Sequence, residues 1–294
     1  MKVLVTGASG YLGRHVLAAL LSSGIEVVLL GRSPAPGHGQ LPLVRADLLG
    51  AQDLESSLAQ VGATHLLHLA WYTEYGKYWA SDLNFRWVDA TLRLADAFCR
   101  AGGRHLVMAG SCAEYDWSYG YLREDTTPLV PASVYGVAKD AARRLVQALC
   151  AKHAASLAWG RIFYPYGIGE APGRMIPRLV RVFRDGAAPF GVNARAFRGL
   201  LHVPDPARAF VALLRGGVAG EFNICSGEPV AIERVVRILA QLCGGQAQAV
   251  LDLPSNRAGD PLMLVGANDR LLQTGWCPEF SLEQGLAAVL LGTQ

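Results

Sequence analysis

An apolar pentapeptide, Lys2-Val3-Leu4-Val5-Thr6, runs directly into Gly7-Ala8-Ser9-Gly10-Tyr11-Leu12-Gly13. The next ten residues repeat apolar side chains at helical intervals. A strand, a glycine-rich turn and a helix in that order leave few folds open. Gly7 permits the tight turn, Gly10 lets the main chain approach a pyrophosphate, and Gly13 lets helix and strand pack closely. The unpaired N–H groups at the helix start, with the helix dipole, favour phosphate. The loop therefore reads as a dinucleotide site. A glycine-rich turn with packing roles only is the alternative.

Further along, short apolar runs alternate with helix-length amphipathic stretches. Strands are expected at Lys2–Thr6, Glu26–Leu30, Leu43–Ala46, His65–Leu69, Arg104–Ala109 and Ser156–Ile162. Helices are expected at Tyr11–Ser23, Ala51–Ala59, Asp82–Ala101 and Ala132–His153. This β-α-β alternation predicts an α/β fold with a doubly wound parallel sheet. The strands are apolar throughout, as strands covered on both faces are. After Ile162 the rhythm breaks at Pro165, Gly167, Gly169, Pro172, Gly173 and Pro177. Helices near Met175–Arg184, Asp205–Leu214 and Ile232–Leu242 and a strand at Glu221–Cys225 follow.

Composition narrows the function. Only 17% of residues are charged and the net charge is 27 − 24 = +3, with no basic run, so nucleic acid is not an expected partner. No apolar run approaches the ~18 residues that span a bilayer, so no membrane is expected either. The glycine turn follows Met1 at once, which argues against a secretory signal. The six cysteines form no C-x-x-C pair and read as reduced, cytoplasmic thiols. The seven histidines are scattered, and His65 and His68 would point to opposite faces of a strand, so no metal site is expected.

Two further features carry chemistry. An acid at the tip of the second strand normally binds the ribose 2′-hydroxyl of NAD. Here the strand ends Leu29-Leu30-Gly31-Arg32-Ser33. Glu26 is at its wrong end, and Asp47 follows the third strand. Arg32 can instead pair with a 2′-phosphate, with Arg14 and Ser9 as helpers. The expected cofactor is therefore NADP(H), with NAD(H) possible; a solvated surface arginine is the other reading. Second, Tyr135 and Lys139 are spaced i, i+4 near the start of a helix, which puts phenol and ammonium on one face. An ammonium there stabilises phenolate and suits Tyr135 to exchange a proton with a carbonyl or carbinol oxygen.

Along nearly its whole length the chain resembles an extended short-chain dehydrogenase/reductase of the nucleotide-sugar type. The resemblance rests on the Thr-Gly-x-x-Gly-x-x-Gly loop, Asp47-Leu48, His68-Leu69-Ala70, Asn84, the Ser111–Tyr115 segment and Tyr135/Lys139. It extends through Arg198-Gly199-Leu200-Leu201-His202-Val203-Pro204-Asp205, Asn223–Gly227, Arg257-Ala258-Gly259-Asp260 and Leu272–Pro278. It implies a Rossmann-type domain over residues 1–162 and a smaller C-terminal substrate-binding part over 163–294, with late elements returning to the main sheet. It implies a Ser-Tyr-Lys site: Ser111 bonds the reacting oxygen, Tyr135 moves the proton, and Lys139 lowers the Tyr135 pKa and holds the nicotinamide ribose. Gly7, Ser9, Gly10, Tyr11, Leu12, Gly13, Arg32, Asp47, Leu48, Leu69 and Ala70 would complete the cofactor site. The long helices at Asp82–Ala101 and Ala132–His153 resemble the pair through which the family forms homodimers.

The reaction follows from departures within that pattern. A 4,6-dehydratase of the family carries Asp-Glu after its Ser/Thr, where this chain has Cys112-Ala113; Glu114 is one position late and would point away. An epimerase usually retains NAD through an acid where this chain has Arg32. The leading expectation is an NADPH-dependent reductase of a nucleotide-linked 4-keto-6-deoxyhexose, with hydride to C4 and a proton from Tyr135. An epimerase, a non-catalytic NADP sensor and a reductase of a non-sugar carbonyl are the alternatives. Arg198 and Arg257 stand where the family binds diphosphate or nucleotide. Tyr164 replaces a frequent Asn, and Gly199 an Asp. Trp71, Tyr72, Thr73 and Tyr75 are expected to wall the sugar pocket, with Cys112 either lining it or simply buried. Trp79 and Trp87 are expected to pack.

Overall fold

The computed structural model describes residues 1–50, 53–255 and 259–292. Strand β1 (Lys2–Thr6) passes through the glycine loop into α1 (Tyr11–Ser22). There follow β2 (Glu26–Gly31), β3 (Leu43–Arg45), α2 (Glu55–Val61), β4 (His65–His68), α3 (Leu83–Arg100) and β5 (His105–Ser111). Next come β6 (Tyr121–Leu122), α4 (Val134–Lys152), β7 (Ser156–Ile162), β8 (Tyr164–Tyr166), α5 (Met175–Asp185), β9 (Phe197–Arg198) and β10 (Leu200–His202). The remainder holds α6 (Pro204–Gly216), β11 (Gly220–Ile224), β12 (Val230–Ala231), α7 (Ile232–Cys243), α8 (Gln248–Leu251), β13 (Met263–Gly266), α9 (Asp269–Leu272) and α10 (Leu282–Leu291).

The main sheet has seven strands in the order β11-β7-β5-β4-β1-β2-β3, all paired in parallel. Its strands are buried on both faces because alternate side chains enter different cores. Val3, Val5, Leu67 and Val107 meet Val16, Leu17 and Leu20 of α1 and Phe210 and Leu213 of α6. Leu4, Leu66, Leu106 and Met108 meet Leu94 and Phe98 of α3 and Ala142 and Val146 of α4. Each such Val or Leu contributes about 1.5–3 kcal/mol by leaving water. The strand order reverses between β1 and β4, and ligands of open α/β sheets bind beyond the strand ends at such a reversal.

Helix α6 and strand β11 lie late in the chain yet return to this sheet, α6 beside α1 and β11 beside β7. Helices α5, α7 and α10 enclose a separate core of Ile176, Leu179, Val235, Val236, Leu239 and Leu286. Two small sheets, β10-β8 and β12-β9-β13-β6, bridge the parts. None of these ladders falls in a stretch expected to be regular. Runs of two to four residues are too short for a period-2 pattern to stand out. The helix expected at Ala51–Ala59 starts at Glu55, where Asp53 caps its N–H at 3.0 Å, and ends at Gly62, which has φ 61°. Ala51 and Gln52 lie outside the described residues.

Candidate active site

The glycine loop packs directly on the backbone around it, where a side chain would not fit. Gly7 has φ +73°, and a Cβ there would meet Ala70 N at 2.7 Å. A Cβ on Gly13 would stand 1.9 Å from the Gly7 carbonyl oxygen. Beneath the loop, the Ala70 N–H donates to Thr6 Oγ1 at 3.3 Å, and Thr6 Oγ1 lies 2.7 Å from His68 Nδ1. His68 Nε2 lies 3.1 Å from Thr91 Oγ1. Burial, with the Lys139 charge, lowers His68 to about 3, so this histidine is a neutral strut. The bare glycine backbone at the head of α1 fits a dinucleotide pyrophosphate. At the far side Arg32 is exposed at the tip of β2, and Arg45 donates to its carbonyl at 3.4 Å. The β2–β3 register, Gly31 opposite Arg45, brings the Arg45 side chain to the Arg32 backbone, while Arg32 alone of the two lines the large cavity of the site.

Ser111 ends β5. Its hydroxyl accepts the Ala113 N–H at 3.2 Å, while the Glu114 carboxylate accepts the Ser111 N–H at 2.8 Å. Glu114 points away from the cavity, as expected, but from a short 3-10 turn over Cys112–Glu114 rather than an extended segment. It is fully buried and also accepts Trp159 Nε1 at 3.0 Å and Arg161 Nε at 2.7 Å. Arg161 donates on to Tyr115 Oη at 3.0 Å, and Tyr115 donates to Asn223 Oδ1 at 2.8 Å. A buried pair of this kind needs every lone pair and proton satisfied, and this network satisfies them. It fixes the turn that carries Ser111.

Tyr135 lies in the first turn of α4. The Gly136 N–H donates to the capping Ser133 Oγ at 3.1 Å. A Cβ on Gly136 would meet the Ala113 carbonyl oxygen at 2.2 Å, so α4 presses directly on the serine turn. The Tyr135 phenol and the Ser111 hydroxyl both line the cavity. Lys139 donates to the Ala109 carbonyl at 2.8 Å. Its Nζ stands 3.8 Å above the Trp71 ring and 5.9 Å from the Tyr135 ring centroid. Burial lowers Lys139 to about 7, against the pull of the Glu114 charge. Against the expected depression, burial raises the Tyr135 phenol well above its ordinary value, with Ser111 opposing. Trp71 is itself held by Asn84, which accepts its Nε1–H at 2.9 Å, and by stacking on Trp87 at 6.1 Å.

One cavity of about 1040 Å³ joins these parts. Gly7, Ser9, Gly10, Tyr11, Leu12, Gly13, Arg32, Asp47, Leu48, Leu69 and Ala70 line one end. Ser111, Tyr135 and Lys139 lie at its middle, and Trp71, Tyr72, Cys112, Tyr164 and Arg198 line the rest. Cys112 is both lining and buried, its thiol pushed up to about 12 chiefly by burial. Arg198 donates to the Phe197 and Pro261 carbonyls at 2.8 and 3.0 Å and lies 5.6 Å from the Tyr164 ring. Arg257 lies outside the described residues.

The cavity also contains residues that sequence reasoning missed. Tyr78 and Trp79 set their rings edge-on to Tyr135 at 4.8 and 5.7 Å, so Trp79 belongs to the site rather than to packing alone. Glu170, Arg174 and Arg178 line it too, Arg178 lying 3.5 Å from the Phe190 ring centroid. Among the described residues no group of three or more His, Cys, Asp or Glu side chains is arranged to hold a metal ion. No helix among them is long and apolar enough to cross a membrane.

Comparison with known proteins agrees with this geometry. The pattern of the family described as "NAD dependent epimerase/dehydratase family" matches residues 3–225. UDP-glucose 4-epimerase of Corynebacterium glutamicum is 28% identical, over 95% of this chain and 91% of that enzyme. GDP-6-deoxy-D-mannose reductase of Pseudomonas aeruginosa is 27% identical, over 98% and 96%. The solved structure of MoeE5 in complex with UDP-glucuronic acid and NAD superposes with a TM-score of 0.85 at 31% identity, covering 100% of this chain and 99% of that one.

Proposed function

The chain belongs to the NAD dependent epimerase/dehydratase family, and from that premise we propose an NADP(H)-dependent reductase of a nucleotide-linked 4-keto-6-deoxyhexose. Arg32 carries the choice of cofactor and of reaction. The tip of β2 presents the exposed Arg32 and no carboxylate, and Arg32 lines the cavity. A guanidinium suits a 2′-phosphate, and a cofactor exchanged at each turnover suits net reduction.

The glycine loop, Asp47, Leu48, Leu69 and Ala70 would hold the adenosine and pyrophosphate, and Lys139 the nicotinamide ribose. When bound, the nicotinamide supplies hydride. The Tyr135 phenol donates the proton to the C4 oxygen. Its raised pKa keeps it protonated at neutral pH, the form a reductase needs. The Ser111 hydroxyl bonds the same oxygen as charge develops on it. Cys112 and Ala113 supply no acid or base for dehydration. Residues 1–162 carry this cofactor half. Residues 163–294 supply Tyr164 and Arg198, which line the cavity with Trp71 and Tyr72, and Arg257, by its place in the sequence, is the further candidate for the sugar nucleotide. A cytoplasmic homodimer fits the reduced thiols and the exposed Phe85 on α3 and Val137 and Leu145 on α4. A single sedimenting monomer would remove the dimer.

The decisive test is NADPH oxidation against a panel of nucleotide-linked 4-keto-6-deoxy sugars, with NMR of the products. Arg32→Asp should reduce the preference for NADPH over NADH at least tenfold, and an unchanged ratio would remove Arg32 from the argument. Tyr135→Phe should abolish turnover while leaving cofactor binding intact. The second reading, an epimerase, draws on the names of the relatives. NAD(H) that stays bound through gel filtration, with no net NADPH oxidation, would select it.

A further inference from the structure

Among the described residues three buried side-chain polar atoms have no hydrogen-bond partner: Tyr11 Oη, Glu170 Oε2 and His202 Nδ1. The first two border the large cavity. Tyr11 opens α1 immediately after the glycine loop, while Glu170 comes from the segment between β8 and α5. That segment lies across the head of α1. His15 Nε2 is 2.9 Å from the Ile168 carbonyl oxygen, and a Cβ on Gly169 would meet the Arg14 guanidinium at 2.5 Å. The Glu170 side chain is only 5% exposed. One of its oxygens accepts Arg174 Nε at 2.9 Å, and the other has no donor.

A buried carboxylate with one bare oxygen is poorly stabilised as an anion. Burial raises Glu170 to about 7, opposed chiefly by Arg174. The Glu170 charge and burial both raise the Tyr11 phenol, which stays neutral. The other charged and titratable groups around the pair are Arg14 and His15 on α1, Tyr166 on β8 and Arg174 ahead of α5. Tyr75 packs against Gly173 on the outer side. The glycine loop next to Tyr11 is where a dinucleotide would bring its two phosphate charges.

We infer that Glu170 takes up a proton when a dinucleotide binds at the glycine loop, and that this carboxylic acid and the Tyr11 hydroxyl form a neutral, donor-bearing wall of that site. The inference rests on the cofactor reading above. Added negative charge disfavours a neighbouring carboxylate. The proton comes from solvent to Oε2, and no other bond changes. The atom that had no partner becomes a donor. The Arg174 charge is at the same time released from its ion pair and faces the anionic ligands of the cavity it borders.

Isothermal titration of NADP⁺ in buffers of different ionisation enthalpy counts protons directly. With Glu170 at about 7 in the free protein, roughly nine in ten carboxyls are ionised at pH 8 and about one in ten at pH 6. Wild type should therefore take up about 0.5–0.9 more protons than Glu170→Gln at pH 8, and about 0.1 or fewer at pH 6. Taking the difference cancels titration of the cofactor's own phosphate. Should Glu170→Gln fail to fold, wild type titrated with NAD⁺, which lacks the 2′-phosphate, must show the same fall in uptake between pH 8 and pH 6. Binding with no uptake, or equal uptake in both proteins, overturns the inference alone. No binding of either dinucleotide overturns the cofactor reading and this one with it.

Discussion

Replacing Lys139 by Met should destroy activity and at the same time stabilise the fold in a pH-dependent way. The ammonium is 4% exposed, and burial takes it from 10.5 to about 7. At about 1.36 kcal/mol for each pH unit, holding the charge inside costs about 4–5 kcal/mol. The Trp71 face, 3.8 Å from Nζ, and the Ala109 carbonyl at 2.8 Å favour the charged form, and this cost is what stands after their help. Lys139→Met, being of similar shape, removes it and should gain up to about 4 kcal/mol at neutral pH. The sign with pH is fixed by linkage. For a base lowered in the fold, the penalty is complete below the folded value and fades as pH rises toward 10.5, where the unfolded lysine also loses its proton. The advantage of Lys139→Met over wild type should thus shrink by roughly 1–3 kcal/mol between pH 7 and pH 9.5. Urea unfolding of both proteins at the two pH values measures it. A pH-independent difference, or a mutant that gains on wild type as pH rises, would refute the claim that Lys139 is a charge held at a loss.

Arg161→Leu strands the fully buried Glu114 and should cost about 3–5 kcal/mol in denaturant unfolding; the double change Glu114→Leu with Arg161→Leu should recover part of it. Gly13→Ala drives a Cβ to 1.9 Å from the Gly7 carbonyl and should cost about 1–3 kcal/mol, while weakening dinucleotide binding measured by titration. Glu170→Gln should stabilise the protein by about 2–3 kcal/mol at pH 8. Its carboxyl ionises near 4.5 when unfolded and about 7 when folded, so the gain should be absent below pH 4.5, grow between those values and hold above them. A melting temperature of Glu170→Gln equal to wild type at pH 8 would contradict it.

The parts of the site carried on regular elements were legible before any coordinates. The glycine loop and Tyr135 with Lys139 one turn apart follow from local pattern, Ser111 comes from the family resemblance, and the main strands and helices fall within a few residues of their expected limits. What stayed hidden depends on contacts remote in the chain. Lys139 meets Trp71 and Glu114 meets Arg161 across 68 and 47 positions, and nothing local in either sequence marks the partner. Glu170 and Arg174 lie in the Pro- and Gly-punctuated stretch, where no period assigns a side chain to a face. Trp79 packs on Tyr135 as well as lining the cavity, and its short 3-10 turn, Tyr78–Ala80, has no amphipathic pattern to show that second place.

The tight seat of Gly136 on the Ala113 carbonyl makes the serine turn and the head of α4 a single rigid body. Ser111 and Tyr135 are inherited together, and neither can be retuned without the other. The walls at residues 71–79 and 164–198 add no strand to the seven-stranded sheet. Changes in those walls, by natural divergence or by grafting loops in the laboratory, are thus free to accumulate without moving the block that carries Ser111 and Tyr135.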